Sequence, residues 1–355
     1  YGATDEAYIA DIYYAASAQI VAKAAAVLGL EETRQNYQAI ADRQWQGGKE
    51  EYFTATGRCA VKTQTGLVLA LKYHLSDNER LTEQMLRKLL RDNKNKLNTG
   101  FVGTPLLCNV LTEHGMTDLA YRLLLNEEYP GWLHEVKLGA TTVWERWNSL
   151  DENGRISSTG MNSLNHYSYG AVLEWIFRHV AGIDVTEQGP GGKMMRISPK
   201  VDHKLGSASA VYDSASGCYR CGWQIENGDQ ITVTVTVPFG AKAQVILPYA
   251  PDSVYHDTDN PLFETVKNGI CCVKAGQYTV TYKAASPLKK SYSVDSTLED
   301  LLGEPAIRAF LSNMMEVDMI PDLAYGLTLR QAAEAFAGGV SAEQAQRLNV
   351  LLEEF

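Results

Sequence analysis

Apolar and polar positions divide the chain into three stretches with different periods. From Thr4 to about residue 182, apolar residues recur at helical spacing between short connections. The segment from Thr4 to Leu28 is rich in Ala and apolar around most of its circumference, which predicts a helix buried on several sides. Residues 31–45 are amphipathic, Lys62 to Leu75 is again mostly apolar, and 79–96 carries charge along one face. Buried and half-buried helices therefore alternate, as in an α/α toroid whose inner helices are walled in and whose outer helices face water. A helical solenoid would give the same alternation, but no fixed-period repeat accompanies it. Gly29, Gly47-Gly48, Gly100, Gly115 and Gly131 follow helical runs, where a C-cap or tight turn calls for positive φ.

Beyond Gly189-Pro190-Gly191-Gly192, which reads as a linker, the period changes to two. Alternation is clearest from Gln230 to Val237, and 219–226, 242–248, 270–274 and 277–283 read as further strands. Several short strands with Gly and Pro turns predict an antiparallel β-sandwich over 189–288. From Ser291 onward the pattern is helical again. Capping boxes at Ser296 with Glu299, Thr328 with Gln331, and Ser341 with Gln344 mark helix starts in a small tail, 289–355.

Composition narrows the partners. A chain of 355 residues with 45% apolar and 21% charged content is an ordinary soluble globular protein of about two domains. Its net charge of -10 comes without a basic stripe, which argues against nucleic acid. There is no 18-residue apolar run and no signal-peptide pattern in residues 1–28, so no membrane partner is expected. Cys218 and Cys221 form a C-x-x-C within a strand, where residues three apart point to opposite faces; adjacent Cys271 and Cys272 diverge too. No clustered histidines accompany either pair, so neither a metal nor a cofactor is expected. Free thiols suit a reducing compartment, which favours the cytoplasm over secretion.

The longest irregular stretch, Pro130 to about Asn162, holds the candidate chemistry. Within it, Val143-Trp144-Glu145-Arg146-Trp147 sets one carboxylate between two indoles, and Trp132 lies just upstream. Asn165-His166-Tyr167 follows, with His166 21 residues after Glu145, at the start of another apolar helix. Indoles stack on pyranose faces, a carboxylate activates water at an anomeric carbon, and a histidine donates to a sugar hydroxyl. The plainer readings are a Glu145 paired with Arg146, a His166 satisfied within the fold, and Trp144 and Trp147 in the core. Asp151-Glu152-Asn153-Gly154 reads as a turn, since Asn-Gly favours one.

These residues carry a family resemblance. Gly139 through Trp147, followed by Ser163-Leu164-Asn165-His166-Tyr167-Ser168-Tyr169-Gly170, resembles the α-L-rhamnosidases of glycoside hydrolase family 78. Thr99-Gly100-Phe101-Val102-Gly103-Thr104-Pro105 and Thr63-Gln64-Thr65 resemble segments of that family's barrel, while Arg196-Ile197-Ser198-Pro199 and Val237-Pro238-Phe239-Gly240 resemble its β-domain. The resemblance covers about 1–285. It implies that 1–188 is the C-terminal part of an (α/α)6 catalytic barrel followed by the β-sandwich and the helical tail. It also implies a terminal α-L-rhamnose in the pocket, hydrolysis with inversion, Glu145 as general base, and His166 as a rhamnose contact. Trp144, Trp147 and Trp132 become candidate substrate-binding residues. Nothing here matches the acid-bearing segment of the family's first barrel half, so the chain reads as a C-terminal portion, inactive alone. It would need the missing N-terminal part or self-association to cover its helices. Two functions follow: a portion of an inverting α-L-rhamnosidase acting on rhamnose-containing glycosides, or a noncatalytic rhamnose-binding or assembly module derived from one. Another (α/α)6 hydrolase, of the trehalase kind, is a weaker third.

Overall fold

The computed structural model describes residues 3–353 apart from 152, 158, 159, 257–259, 264, 265 and 337. Two compact units divide it, 1–286 and 287–355.

The first unit begins with a long helical hairpin, α1 (Glu6–Leu28) and α2 (Glu31–Tyr52). Asp5 caps α1 by accepting from the Tyr8 N–H, and Gly29 ends it at φ 71°, the left-handed conformation that a C-cap requires. Tyr8, Ile12, Ala15, Ala18, Ala22 and Ala25 are buried. The opposite side of α1 is open, with Val27 87% and Leu28 71% exposed. The helix is thus buried along one face only, although its apolar sequence predicts cover on several sides. Gly47 and Gly48 lie inside α2 and do not end it. Their Cβ positions face open space, so the helix passes through without a clash and without a turn.

Five further helices follow: α3 (Gln64–Lys72), α4 (Glu79–Asp92), α5 (Thr104–Glu113), α6 (Thr117–Leu124) and α7 (Trp132–Lys137). In α3 every residue from Gln64 to Leu71 is buried, whereas α4 buries Thr82, Leu86 and Leu90 on one stripe. This is the alternation of enclosed and half-exposed helices that the sequence pattern calls for. Gly131 stands at the start of α7, not the end of α6, in extended backbone at φ 173°. After the irregular stretch comes a composite helix, with a 3-10 turn Ser168–Ala171, an α turn Val172–Trp175 (α8) and a π turn Ile176–Val180. Trp175 is fully buried in it and donates to Thr112 Oγ1 at 2.8 Å, tying it to α5.

Strands start earlier than Gly189. A five-stranded sheet runs β1 (Ile183–Val185), β2 (Met194–Ile197), β6 (Lys242–Val245), β8 (Ile270–Val273), β7 (Val266–Lys267). A four-stranded sheet runs β3 (Ser207–Ser214), β4 (Gly217–Glu226), β5 (Gln230–Val237), β9 (Gly276–Lys283). Pairing is antiparallel except between β2 and β6, which are parallel. Apolar residues of alternate register, such as Ile231, Val233, Val235 and Val237 of β5, are buried. Tyr219 joins the two sheets, its hydroxyl donating to Gly192 O at 2.7 Å and also lying 3.0 Å from Lys242 O. The six cysteines are unpaired, with Cys271 turned inward and Cys272 outward.

The segment 189–192 is a tightly packed turn inside this unit, not a linker; a Cβ on Gly192 would come 2.3 Å from Ser214 Oγ. Helices and sheets are bound to each other, because Trp223 Nε1 of β4 donates to Val180 O at 2.7 Å. Gly182 lies at the junction between them. Its φ is +83°, and a Cβ there would lie 2.3 Å from the backbone nitrogen of Pro199. Gly182→Ala should therefore destabilise the chain by at least about 1–3 kcal/mol, the usual cost of a strained non-Gly backbone. The midpoint of urea unfolding checks this, and an unchanged midpoint would contradict it.

The second unit holds α9 (Leu298–Gly303), α10 (Pro305–Ser312), α11 (Leu329–Phe336) and α12 (Ala342–Leu352) around Leu298, Leu301, Ile307, Leu311 and Leu352. Its capping differs from expectation at one helix. Thr297, not Ser296, caps α9 by accepting from the Asp300 N–H, one residue later than the sequence box implies. The boxes at Thr328 with Gln331 and Ser341 with Gln344 are formed. Among the described residues, no helix is long and apolar enough to cross a membrane.

Candidate active site

Glu145 and His166 are carried by two chain segments that pair with each other. The Glu145 N–H donates to Ser163 O at 2.9 Å, the His166 N–H donates to Val143 O at 2.8 Å, and Thr142 Oγ1 donates to Leu164 O. A 21-residue excursion thus returns beside its own start. It is held there by Asn162, whose side chain accepts from Ser149 Oγ at 2.6 Å and donates to Ser149 O at 3.0 Å. Within the excursion Asp151 makes the turn read from Asn153-Gly154, its carboxylate accepting from the Asn153 and Arg155 N–H groups at 2.9 and 2.8 Å. Glu152 of that turn lies outside the described residues.

Glu145 and His166 are both half-buried. No described side chain donates a hydrogen bond to the Glu145 carboxylate, which leaves its oxygens available to a ligand. His166 is oriented from both sides. The Ser168 N–H donates to its Nδ1 at 3.3 Å, which assigns the ring's own proton to Nε2 and makes Nε2 a donor suited to a hydroxyl. Phe101 stacks near-parallel to the ring at 5.0 Å and Tyr167 at 5.5 Å.

The tryptophans belong to the layer beneath. Trp144 is 2% and Trp147 3% exposed, and Trp132 is buried as well. Trp147 stacks on Tyr169 with centroids 4.0 Å apart and planes 3° from parallel, and Trp132 meets Trp147 edge-on at 5.4 Å. Trp132 Nε1 donates to Tyr169 O at 2.9 Å. With Phe101 tilted onto Tyr169 at 5.5 Å, this aromatic layer runs continuously from α7 to the His166 ring. Its immediate effect is to anchor Trp147, two residues after Glu145, against Tyr169.

Three residues of this region escaped the sequence reading: Phe101, Tyr169 and Glu135. Phe101 and Tyr169 were visible only as motif positions. Glu135 had a signal, since it lies three residues after Trp132 on one helix and therefore shares its face. It is 4% exposed. Burial pushes its carboxyl group up to about 8, against the opposing effect of a hydrogen bond from the Trp144 N–H. Among the described residues no group of His, Cys, Asp and Glu is arranged to hold a metal ion.

The family described as bacterial alpha-L-rhamnosidase 6 hairpin glycosidase domain matches residues 1–180, and that described as bacterial alpha-L-rhamnosidase C-terminal domain matches 182–260. The chain belongs to the bacterial α-L-rhamnosidase family. It is 38% identical over 283 residues to an alpha-L-rhamnosidase of Alteromonas sp. (strain LOR), covering 78% of this chain and 30% of that protein. It is 36% identical over 270 residues to one of Formosa agariphila, covering 75% and 29%. The crystal structure of Streptomyces avermitilis alpha-L-rhamnosidase complexed with L-rhamnose superposes with a TM-score of 0.71 at 32% identity, covering 78% of this chain and 27% of that one. The chain thus spans under a third of the length of these relatives. Its helical portion followed by antiparallel-rich sheets is the toroid-plus-sandwich arrangement of this family, in part. The observed helix-to-strand change near Ile183 coincides with the junction between the two matched domains.

Proposed function

We propose that this chain is the C-terminal portion of an inverting α-L-rhamnosidase that removes terminal α-L-rhamnose from glycosides, and that it contributes the general base. The observation that supports the reading is the pairing of 143–145 with 163–166, which brings together the backbone segments that carry Glu145 and His166, while the Ser168 N–H occupies His166 Nδ1 and leaves Nε2 as the donor. In this reading Glu145 takes a proton from the water that attacks the anomeric carbon, and His166 holds a rhamnose hydroxyl. An inverting pair stands roughly 6.5–9.5 Å apart, leaving room for that water. The acid is assigned to a portion not matched by these residues, since the chain spans under a third of its relatives.

Trp144, Trp147 and Trp132 serve this reading as a rigid underlayer, because rings so deeply buried offer a sugar at most an edge. The open apolar side of α1, with Val27, Leu28 and Ile20 exposed, supports cover by the remaining barrel helices or by a second copy. Unpaired thiols on both sheets suit a reducing compartment.

The test is rhamnose binding by the 355-residue chain, followed through saturation-transfer NMR. Binding that weakens at least about tenfold in His166→Ala, as expected for loss of a hydrogen bond to a ligand hydroxyl with its partner left unpaired, supports a shared site. Equal binding by the variant contradicts it. The noncatalytic alternative is favoured instead by rhamnose binding in a full-length protein that hydrolyses no aryl α-L-rhamnoside.

A further inference from the structure

Glu135 is a carboxyl group enclosed without a charged partner. Its Oε1 is buried and has no hydrogen-bond partner among the described residues, and its Oε2 accepts one long bond, 3.5 Å, from the Trp144 N–H. A second partnerless buried atom, Trp147 Nε1, belongs to the same aromatic layer. If space-filling were all that α7 needed here, Met or Leu would supply it without the cost of burying a carboxyl group. The carboxyl is instead aimed at the amide of the residue that immediately precedes Glu145.

We propose that Glu135 is a positioning residue for Glu145, holding the Trp144 amide and thereby the direction in which the next side chain leaves the backbone. The inference rests on the reading of Glu145 as the base. Glu135 does so as a neutral acid. Burial keeps its proton on up to about pH 8. Of the titratable and charged groups nearby, Tyr169 on the composite helix feels Glu135 together with Arg146 and Glu145, which follow Trp144 in the run, and His134 and Lys137 lie on its own helix. None of these is a cation bonded to Glu135, and Lys137 is paired with Glu127. Above about pH 8 the carboxylate forms without a counter-ion, and the packed layer must loosen to admit water. The neutral state is therefore the one that holds the loop.

Two measurements test this, one of them independent of catalysis. Tryptophan emission of the 355-residue chain, titrated from acid to alkali, should show a step near pH 8 that Glu135→Gln abolishes, because the amide has the acid's shape and cannot ionise. In the full-length protein, Glu135→Ala should lower kcat by up to about 10²-fold with KM little changed, the scale of a misplacement near 1 Å. Glu135→Gln should restore kcat at pH 7 and remove the alkaline loss expected of the protein that carries Glu135. The inference is overturned if the emission step persists in Glu135→Gln, or if Glu135→Gln loses kcat as Glu135→Ala does. Should Glu135→Ala not fold, the comparison of native protein with Glu135→Gln decides alone. A full-length protein that cleaves no rhamnoside while the emission step behaves as expected defeats the assignment of Glu145, and the positioning role for catalysis with it; an absent step defeats the account of Glu135 by itself.

Discussion

Glu145→Gln in the full-length protein is expected to lower kcat for an aryl α-L-rhamnoside by about 10²- to 10⁴-fold, the usual contribution of a positioned general base. Rhamnose affinity should stay within a few-fold of native, since Gln keeps the shape and polarity of the side chain and only the ability to accept the water's proton is lost. The surroundings make this a clean substitution. Glu145 is half-buried, no described side chain donates to its carboxylate, and its backbone is fixed independently through Ser163 O and the Trp147–Tyr169 stack. Stability should therefore change little. Steady-state kinetics with an isothermal titration of rhamnose separates the two effects; near-normal turnover by the variant would show that the base has been misassigned.

The 355-residue chain by itself should release no measurable rhamnose from the same substrate. Inversion needs a proton donor for the leaving oxygen as well as a base for the water, and the proposal assigns only the base, Glu145, to this chain. Glu135 does not fill the vacant role, because it is enclosed in the layer beneath Glu145 with 4% of its surface exposed. The same chain should associate. Ile20, Val27, Leu28 and Leu30 lie exposed along the α1–α2 hairpin, large apolar side chains of the kind that an association surface covers. Sedimentation equilibrium at micromolar concentration should return more than the 39.2 kDa monomer mass. A clean monomer with robust rhamnose release would contradict both expectations and place an acid within these residues.

Much of the fold was legible in the sequence wherever one periodicity persisted over many residues. The enclosed α3, the striped α4 and the alternating β5 all follow from it. Short or irregular strands were not legible. β1 has three residues and β7 two, too few for alternation to register, and β3 is largely exposed with no apolar face to detect. Glycine misled in both directions. Gly47 and Gly48 continue a helix because nothing crowds them, while 189–192 looks like a linker but is packed against Ser214. At the site, residue chemistry singled out Glu145 and His166 as candidates, since a carboxylate among indoles and a histidine at a helix start are unusual locally, but the backbone pairing of their segments was not legible. The depth of the tryptophans and the burial of Glu135 were not available, because both depend on how α7 docks against Tyr169.

The most direct test of the central assignment is azide rescue of Glu145→Ala in the full-length protein. Azide needs no base to become a nucleophile, and truncation to Ala opens room for it where the water stood. If Glu145 is the base of an inverting reaction, azide restores consumption of an activated aryl α-L-rhamnoside and the product, read by NMR, is the β-L-rhamnosyl azide. No rescue, or a product of retained α configuration, would contradict the account.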